Sequence, residues 1–252
     1  MIEKFIKTQN VGYLLGHFSD NAFHQHYAVQ VVVSLNEAVH VQYDTISVKN
    51  EFLLIKSMHS HRLDCVDQSV LVLLINPASK LGHLLNSHSD GQEIQVSKKK
   101  WFLQLQKLAL KWHQNNLTYL DFKKNTEISS REFIKLNKQC FHYLDRRIIS
   151  ALGYLRNNAG IIIPIEDIAR QVFLSPSRFI HLFKKETGIT YRRMQLWNKL
   201  MASIDDINNH KNITNLAHVH GFADSAHFSR TFKQTFGLNP KILIKYSQFI
   251  QL

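Results

Sequence analysis

The chain has 252 residues, enough for one large domain or two of ordinary size, and 44% of them are apolar, so each half can bury a core of its own. A formal net charge of +12 points to a polyanionic partner, although charge alone does not separate nucleic acid from an anionic membrane. Two cysteines, Cys65 and Cys140, exclude a disulfide framework and a CxxC metal site.

The longest apolar runs, such as VLVLLI at 70–75, fall well short of the ~20 residues that span a bilayer. The opening MIEKFIKTQN lacks the apolar core of a secretory signal, so a cytoplasmic location with no membrane partner is expected. The excess charge is concentrated late. Residues 142–252 carry fifteen Lys/Arg against seven Asp/Glu, whereas residues 1–141 carry sixteen against twelve. That distribution predicts a basic C-terminal module.

Residues 1 to 96 read mainly as strands. YAVQVVVSL (27–35) is a continuous apolar run of the buried kind, and VHVQYDTI (39–46) alternates with period two. EFLLIKS (51–57) and VLVLLI follow, a spacing of short strands that predicts a β-sandwich or barrel. PASKLGHLLN (77–86) predicts a short helix with Pro77 at its start.

The period then changes. SKKKWFLQLQKLALKWHQNNL (97–117) places Trp101, Leu105, Leu108 and Trp112 on one apolar stripe of a lysine-bearing helix. Two readings stay open: a helix packed on the sheet, or a partner helix for a homodimer through 97–117. From about 130 onward the pattern is helical, with DRRIISALGYLRNN (145–158) amphipathic and Asn157-Asn158-Ala159-Gly160 as its stop. A division near 140 follows, into 1–140 and 141–252, with no Gly/Ser- or Pro-rich linker to mark it.

The C-terminal part contains a repeat. FIHLFKKETGI (179–189) and FSRTFKQTFGL (228–238) share F-x-x-x-F-K-x-x-x-G-apolar at a separation of 49 residues. A short helix with a small residue precedes each, Ala169 in one copy and Ala217 in the other. A tight connection follows at Phe173-Leu174 and Gly221-Phe222. Alanine lets the two helices of such a pair approach closely, and glycine suits a turn that needs φ > 0. Phe173 occupies the place of Gly221, so a different backbone solution is expected there. Ser175 and Asp224 are apt N-caps for the second helices. The phenylalanines face inward, and Lys184 and Lys233 face outward.

With this duplication, residues 161–246 resemble the DNA-binding domain of the AraC/XylS family of bacterial transcription regulators. The family signature, approximately A-x-x-x-G-F-x-D/E-x-S-Y-F-S-R-x-F-K-x-x-x-G-x-x-P, is met by Ala217, Gly221, Phe222, Asp224, Phe228, Ser229, Arg230, Phe232, Lys233, Gly237 and Pro240. His227 stands in the signature's tyrosine place. Ala226 stands where the family has serine. The linking helix TYRRMQLWNKLMASIDDI (190–207) has Asn198-Lys199-Leu200 in place of the usual Arg-Leu pair and Ile204 in place of an alanine.

The resemblance implies an α+β multidomain protein: an N-terminal cupin-like β-barrel with helices, then an all-α domain of two helix-turn-helix units joined by a linker helix. It also implies a non-enzymatic regulator whose partners are double-stranded DNA, RNA polymerase and a small-molecule effector. Second helices about one DNA turn apart, ~34 Å, enter successive major grooves. The expected DNA-facing residues are Ser177, Arg178, Ile180, His181 and Lys184 in the first unit. In the second they are Ser225, Ala226, Ser229, Arg230 and Lys233. Arg230 suits a bidentate contact to guanine, and Ile180 and Ala226 suit thymine methyls. Lys184, Lys233, Arg192 and Arg193 suit phosphates.

The N-terminal half resembles the family's effector domain more weakly. Metal-binding cupins carry H-x-H-x3-E and a later histidine; this chain has His24-x-His26-x3-Gln30, with His59 or His61 downstream. Gln30 replaces the carboxylate, and the family's sensor barrels mostly lack metal, so no metal and no cofactor are expected, although His24, His26 and His61 remain able to form a three-histidine site. The expected effector-binding residues are His24, His26, Tyr43, His59 and His61. A cupin oxygenase or isomerase is the enzymatic rival. An alkyl-transfer function fails because neither RLDCVDQ nor NKQCFHY offers a Pro-Cys-His-Arg context.

Overall fold

A computed structural model describes residues 2–18, 22–43, 46–87, 94–96, 100–137, 144–210, 212–241 and 250–251. The chain divides into two compact units. One is built on residues 1–141 with 233–238 and 245–252, the other on 142–232 with 239–244. The division expected near 140 and Cys140 itself lie outside the described residues.

The first unit is a sheet covered by helices. Its strands are β1 (Ile2–Lys7), β2 (Val11–Phe18), β3 (Val29–Ser34), β4 (Val39–Tyr43), β5 (Ile46–Asn50), β6 (Phe52–Ile55), β7 (Arg62–Ile75), β8 (Ile94–Val96) and β9 (Ile250–Gln251). The main path runs β8-β6-β3-β7-β2-β1-β9, and β4 branches off to pair with β5 and β7. β7 is long enough to serve two partnerships: its C-terminal half lies between β2 and β3, while Arg62–Asp64 pair with β4. The arrangement is cupin-like, but the expected barrel is not closed. Among the described residues the path ends in β8 and β9, of three and two residues, which do not pair with each other. β9 adds to β1 in parallel, a strand that the helical period of 141–252 does not announce.

The continuous apolar run at 27–35 becomes the wholly buried β3, as a strand covered on both faces should. The helix α1 (Lys80–Ser87) begins three residues later than Pro77 suggests, because Ser79 caps it by accepting the Gly82 N–H. α2 (Lys100–His113) buries Trp101, Leu105 and Trp112 fully and Leu108 in part. Its partner is α3 (Tyr119–Leu136). Trp112 stacks on Phe122 with centroids 4.2 Å apart, and Trp101 on Phe133 at 4.8 Å. The apolar stripe is thus consumed inside its own unit. Residues 97–99 of that segment lie outside the described residues.

The second unit holds α4 (Arg146–Asn157), α5 (Ile165–Gln171), α6 (Pro176–Thr187), α7 (Tyr191–Asp205), a 3-10 turn (Ile207–Asn209), α8 (Ile213–Val219) and α9 (Ser225–Phe236) as far as Phe232. Asp145 caps α4 through the Arg147 N–H. Phe179 and Phe183 are fully buried against Tyr191, with all three centroid separations between 5.4 and 5.8 Å. The Tyr191 hydroxyl donates to the Ile163 carbonyl at 2.8 Å, which ties the start of α7 to the chain entering α5. No helix among the described residues is long and apolar enough to cross a membrane.

Candidate nucleic-acid interface and histidine cluster

The two copies of the repeat fold alike down to single hydrogen bonds. Ala169 and Ala217 are completely buried where each first helix meets its second. In the first turn Phe173 N–H donates to Arg170 O at 3.1 Å and Leu174 N–H to Ala169 O at 2.9 Å. In the second turn Gly221 N–H donates to His218 O at 3.1 Å and Phe222 N–H to Ala217 O at 2.9 Å. Phe173 therefore uses the same backbone solution as Gly221, with φ 57° against 69°, and not the different one expected from its bulk. Its ring is 93% exposed, so only backbone sterics oppose the turn.

The second helices match as well. Ser175 Oγ accepts the Arg178 N–H, with Pro176 in the first turn of α6; Asp224 accepts the His227 N–H at 2.6 Å to start α9. The His227 N–H holds the Asp224 carboxyl below its ordinary value. Both helices end on a left-handed glycine, Gly188 at φ 77° and Gly237 at φ 73°. Buried rings at Phe179/Phe183 and Phe228/Phe232 leave the opposite faces to solvent.

On those faces lie the residues expected to meet DNA. Ser177, Arg178, Ile180, His181 and Lys184 are exposed on α6. Ala226, Arg230 and Lys233 are exposed on α9, with Ser225 and Ser229 half-buried. Arg192 and Arg193 are exposed in the first turn of α7, whose N-cap Thr190 accepts the Arg193 N–H. Cations beside free helix N–H groups form a natural setting for phosphate.

A residue that sequence reasoning noted only as a departure has a clear role. Lys199 is buried on α7, and its ammonium donates to the Gly221 carbonyl at 2.9 Å while lying 5.9 Å from the Phe222 ring centroid. Burial lowers its pKa. It joins the linker helix to the second turn. Nearby, Asp206 Oδ2 accepts from His210 Nε2 at 2.8 Å and His220 Nε2 at 3.1 Å, joining the end of α7 to the end of α8. Only the i,i+4 spacing of Asp206 and His210 hinted at this.

In the first unit the five residues expected to bind an effector fall into two groups. His24, His26 and His61 form a buried cluster with ring centroids 4.3 to 5.5 Å apart. A two-way backbone bridge between His24 and His61 holds it together. Gln30 is buried beside it, its amide oxygen 3.0 Å from His26 Nε2 and 3.3 Å from His61 Nε2. Burial pushes His24 down to about 3 and holds His26 and His61 below the ordinary histidine range, with the neighbouring rings adding to the effect at His24 and His61. Tyr43 and His59 are a separate half-buried pair, edge-on at 5.6 Å. Cys65 is buried and takes part in no disulfide.

Residues 168–245 match the family described as Helix-turn-helix domain. Regulatory protein PocR of Salmonella typhimurium is 31% identical over 101 residues, 38% of this chain and 32% of that protein. The HTH-type transcriptional activator RhaS of Pectobacterium carotovorum is 32% identical over 123 residues, 44% of this chain and 42% of the relative. The matched part thus spans less than half the length of either relative. Over nearly the whole chain the fold resembles solved ToxT from Vibrio cholerae. The apo form has a TM-score of 0.66 at 15% identity, covering 95% of this chain and 98% of that one. The form bound to an unsaturated fatty acid has a TM-score of 0.61 at 15% identity, covering 97% of each.

Proposed function

We propose that the chain is a transcriptional regulator of the AraC/XylS type that binds double-stranded DNA sequence-specifically, with α6 and α9 in successive major grooves. The observation that carries this reading is the duplicated turn-and-helix: two copies share one set of caps, buried rings, hydrogen bonds and left-handed ends, and both turn cations outward. A single amphipathic helix with a basic face is commonplace; two superposable ones on a common linker make a reading head.

Arg230 reads a base, and Lys184, Lys233, Arg192 and Arg193 hold phosphates. Residues 141–252 serve DNA binding, and residues 1–140 serve sensing of a small-molecule effector in the cytoplasm. RNA polymerase is the protein partner. Self-association through 97–117 belongs to the same reading, but its surface would be the exposed Leu103 side of α2, since the Trp101–Trp112 stripe is already covered.

Genome-wide mapping of bound sites supplies the operator, after which two variants test the roles. Arg230→Ala is expected to cost about 1–3 kcal/mol on the operator and to relax discrimination at one base pair, whereas Lys233→Ala weakens operator and random DNA alike. Equal losses on both DNAs for Arg230→Ala would remove its base-reading role, and a chain with no mapped sites would remove the function.

A further inference from the structure

The histidine cluster is built in a way that an effector pocket for an organic molecule does not require. Each ring hydrogen-bonds through Nδ1 to a main-chain carbonyl: His24 to Ala22 at 2.8 Å, His26 to Ala28 at 2.9 Å, His61 to His59 at 2.9 Å. A carbonyl only accepts, so Nδ1 carries the hydrogen in all three rings. In a neutral imidazole the lone pair is then on Nε2. One ring nitrogen from each residue lies within 4.8 Å of the other two, and all three residues are more than nine-tenths buried.

Three oriented lone pairs thus converge inside the fold. The Gln30 amide oxygen, another acceptor, faces two of them. With the amide oxygen so placed, it and the two lone pairs it faces repel one another. Either the amide turns to give one N–H to each ring, or a cation occupies the centre and takes all four lone pairs. A turned amide reaches only His26 and His61, whereas a cation takes the His24 nitrogen as well, and the Nδ1–carbonyl bonds are the outer contacts that orient metal-binding imidazoles.

We infer that His24, His26 and His61, with the Gln30 amide oxygen, form a binding site for a divalent transition-metal ion of the zinc class. Imidazole suits zinc, copper, nickel and iron over magnesium or calcium. Tetrahedral zinc, with Zn–N near 2.0–2.1 Å, sets its ligand nitrogens about 3.4 Å apart, so the rings need close only modestly from their present spacing. No carboxylate among the described residues belongs to the cluster, which favours an anion on any open coordination position. The site reverses the expectation of a metal-free sensor, and it stands independently of the DNA-binding reading.

The test uses the full chain, stripped with chelator and titrated with zinc chloride by calorimetry, with metal content measured after dialysis. One equivalent of zinc per chain and a raised melting temperature of the first unit are expected. His61→Gln and His26→Gln should each abolish stoichiometric uptake, and Gln30→Leu should weaken it about 10–100-fold. His210→Ala should leave it unchanged, which separates this site from the Asp206–His210–His220 group. Cobalt(II) on the unaltered chain gives a reading that does not depend on how a variant folds: intense visible bands of a four- or five-coordinate nitrogen-rich site are expected. Weak octahedral bands, uptake that survives His61→Gln, uptake lost with His210→Ala, or no uptake at all would overturn the site.

Discussion

Replacing Phe173 by glycine should make the DNA-binding unit more stable. Phe173 holds φ 57° in a turn whose hydrogen bonds match those around Gly221 to the tenth of an ångström. An L-residue in the left-handed region costs about 1–2 kcal/mol from the clash of its Cβ with the next carbonyl. Glycine escapes that cost but loses about 0.5–1 kcal/mol through its freer unfolded chain. Because the Phe173 ring is 93% exposed, little packing is forfeited. The net gain is about 0.5–1 kcal/mol, or roughly 2–8 °C for a unit of this size. Gly221→Ala is the reciprocal experiment and should go the other way. Its new Cβ meets the Lys199 ammonium at 3.1 Å at φ 69°, so backbone strain is joined by a strained Lys199–Gly221 hydrogen bond. Calorimetry of the whole chain, following the transition of the helical unit, measures both. A Phe173→Gly protein that melts earlier than the parent would refute the argument, since it would mean that the exposed ring makes a stabilising contact. Unchanged melting with weakened operator binding would transfer Phe173 from strain to recognition.

Phe183→Ala removes a fully buried ring packed on Phe179 and Tyr191 and should cost about 3–5 kcal/mol, read as a fall in the urea midpoint of the second unit with the first unit unmoved. Lys199→Met keeps the buried stem but loses the bond to the Gly221 carbonyl; about 1–3 kcal/mol of stability should go, and a loss within error would reduce Lys199 to a packing residue. In chelator, the first unit should weaken as pH falls below about 6.5, because the unfolded chain protonates its histidines there while burial keeps His24 neutral down to about 3. With the folded value below the unfolded one, stability is lost between pH 6.5 and 3, and His24 alone accounts for about 2 kcal/mol at pH 5; a flat stability profile from pH 7.5 to 5 would show that the rings protonate in the fold.

How much of this was legible in the chain depends on the distance over which each feature is decided. Caps, ring stripes and left-handed ends are settled within four or five residues, so Ser175, Asp224, Gly188 and Gly237 could be read directly, and with them the helices they bound. The stripe of α2 was legible as a stripe but not as to its cover, because Phe122 and Phe133 reach it from the next helix and nothing in 97–117 announces them. Barrel closure was illegible for a related reason: it depends on whether the last strands of a path can pair, and β8 and β9 are too short for their period to register. The turn at Phe173 was not legible from the bulk of its ring, because a side chain that leaves the surface freely lets the backbone obey the turn.

The histidine cluster lies between these extremes. The pair His24-x-His26 places both rings near one another on any extended segment, and the i,i+4 offset to Gln30 carries no fixed meaning there. What unites the four is the bridge between His24 and His61, a register decided across 37 residues of chain. A one-residue slip of that pairing would turn the His61 ring to the other face of the sheet and leave two histidines and an amide without a third donor. The site is therefore as strong as one backbone pairing. That is why a histidine count from sequence left its chemistry open, and why the orientation of three Nδ1 hydrogens, set by three carbonyls, makes the stronger argument.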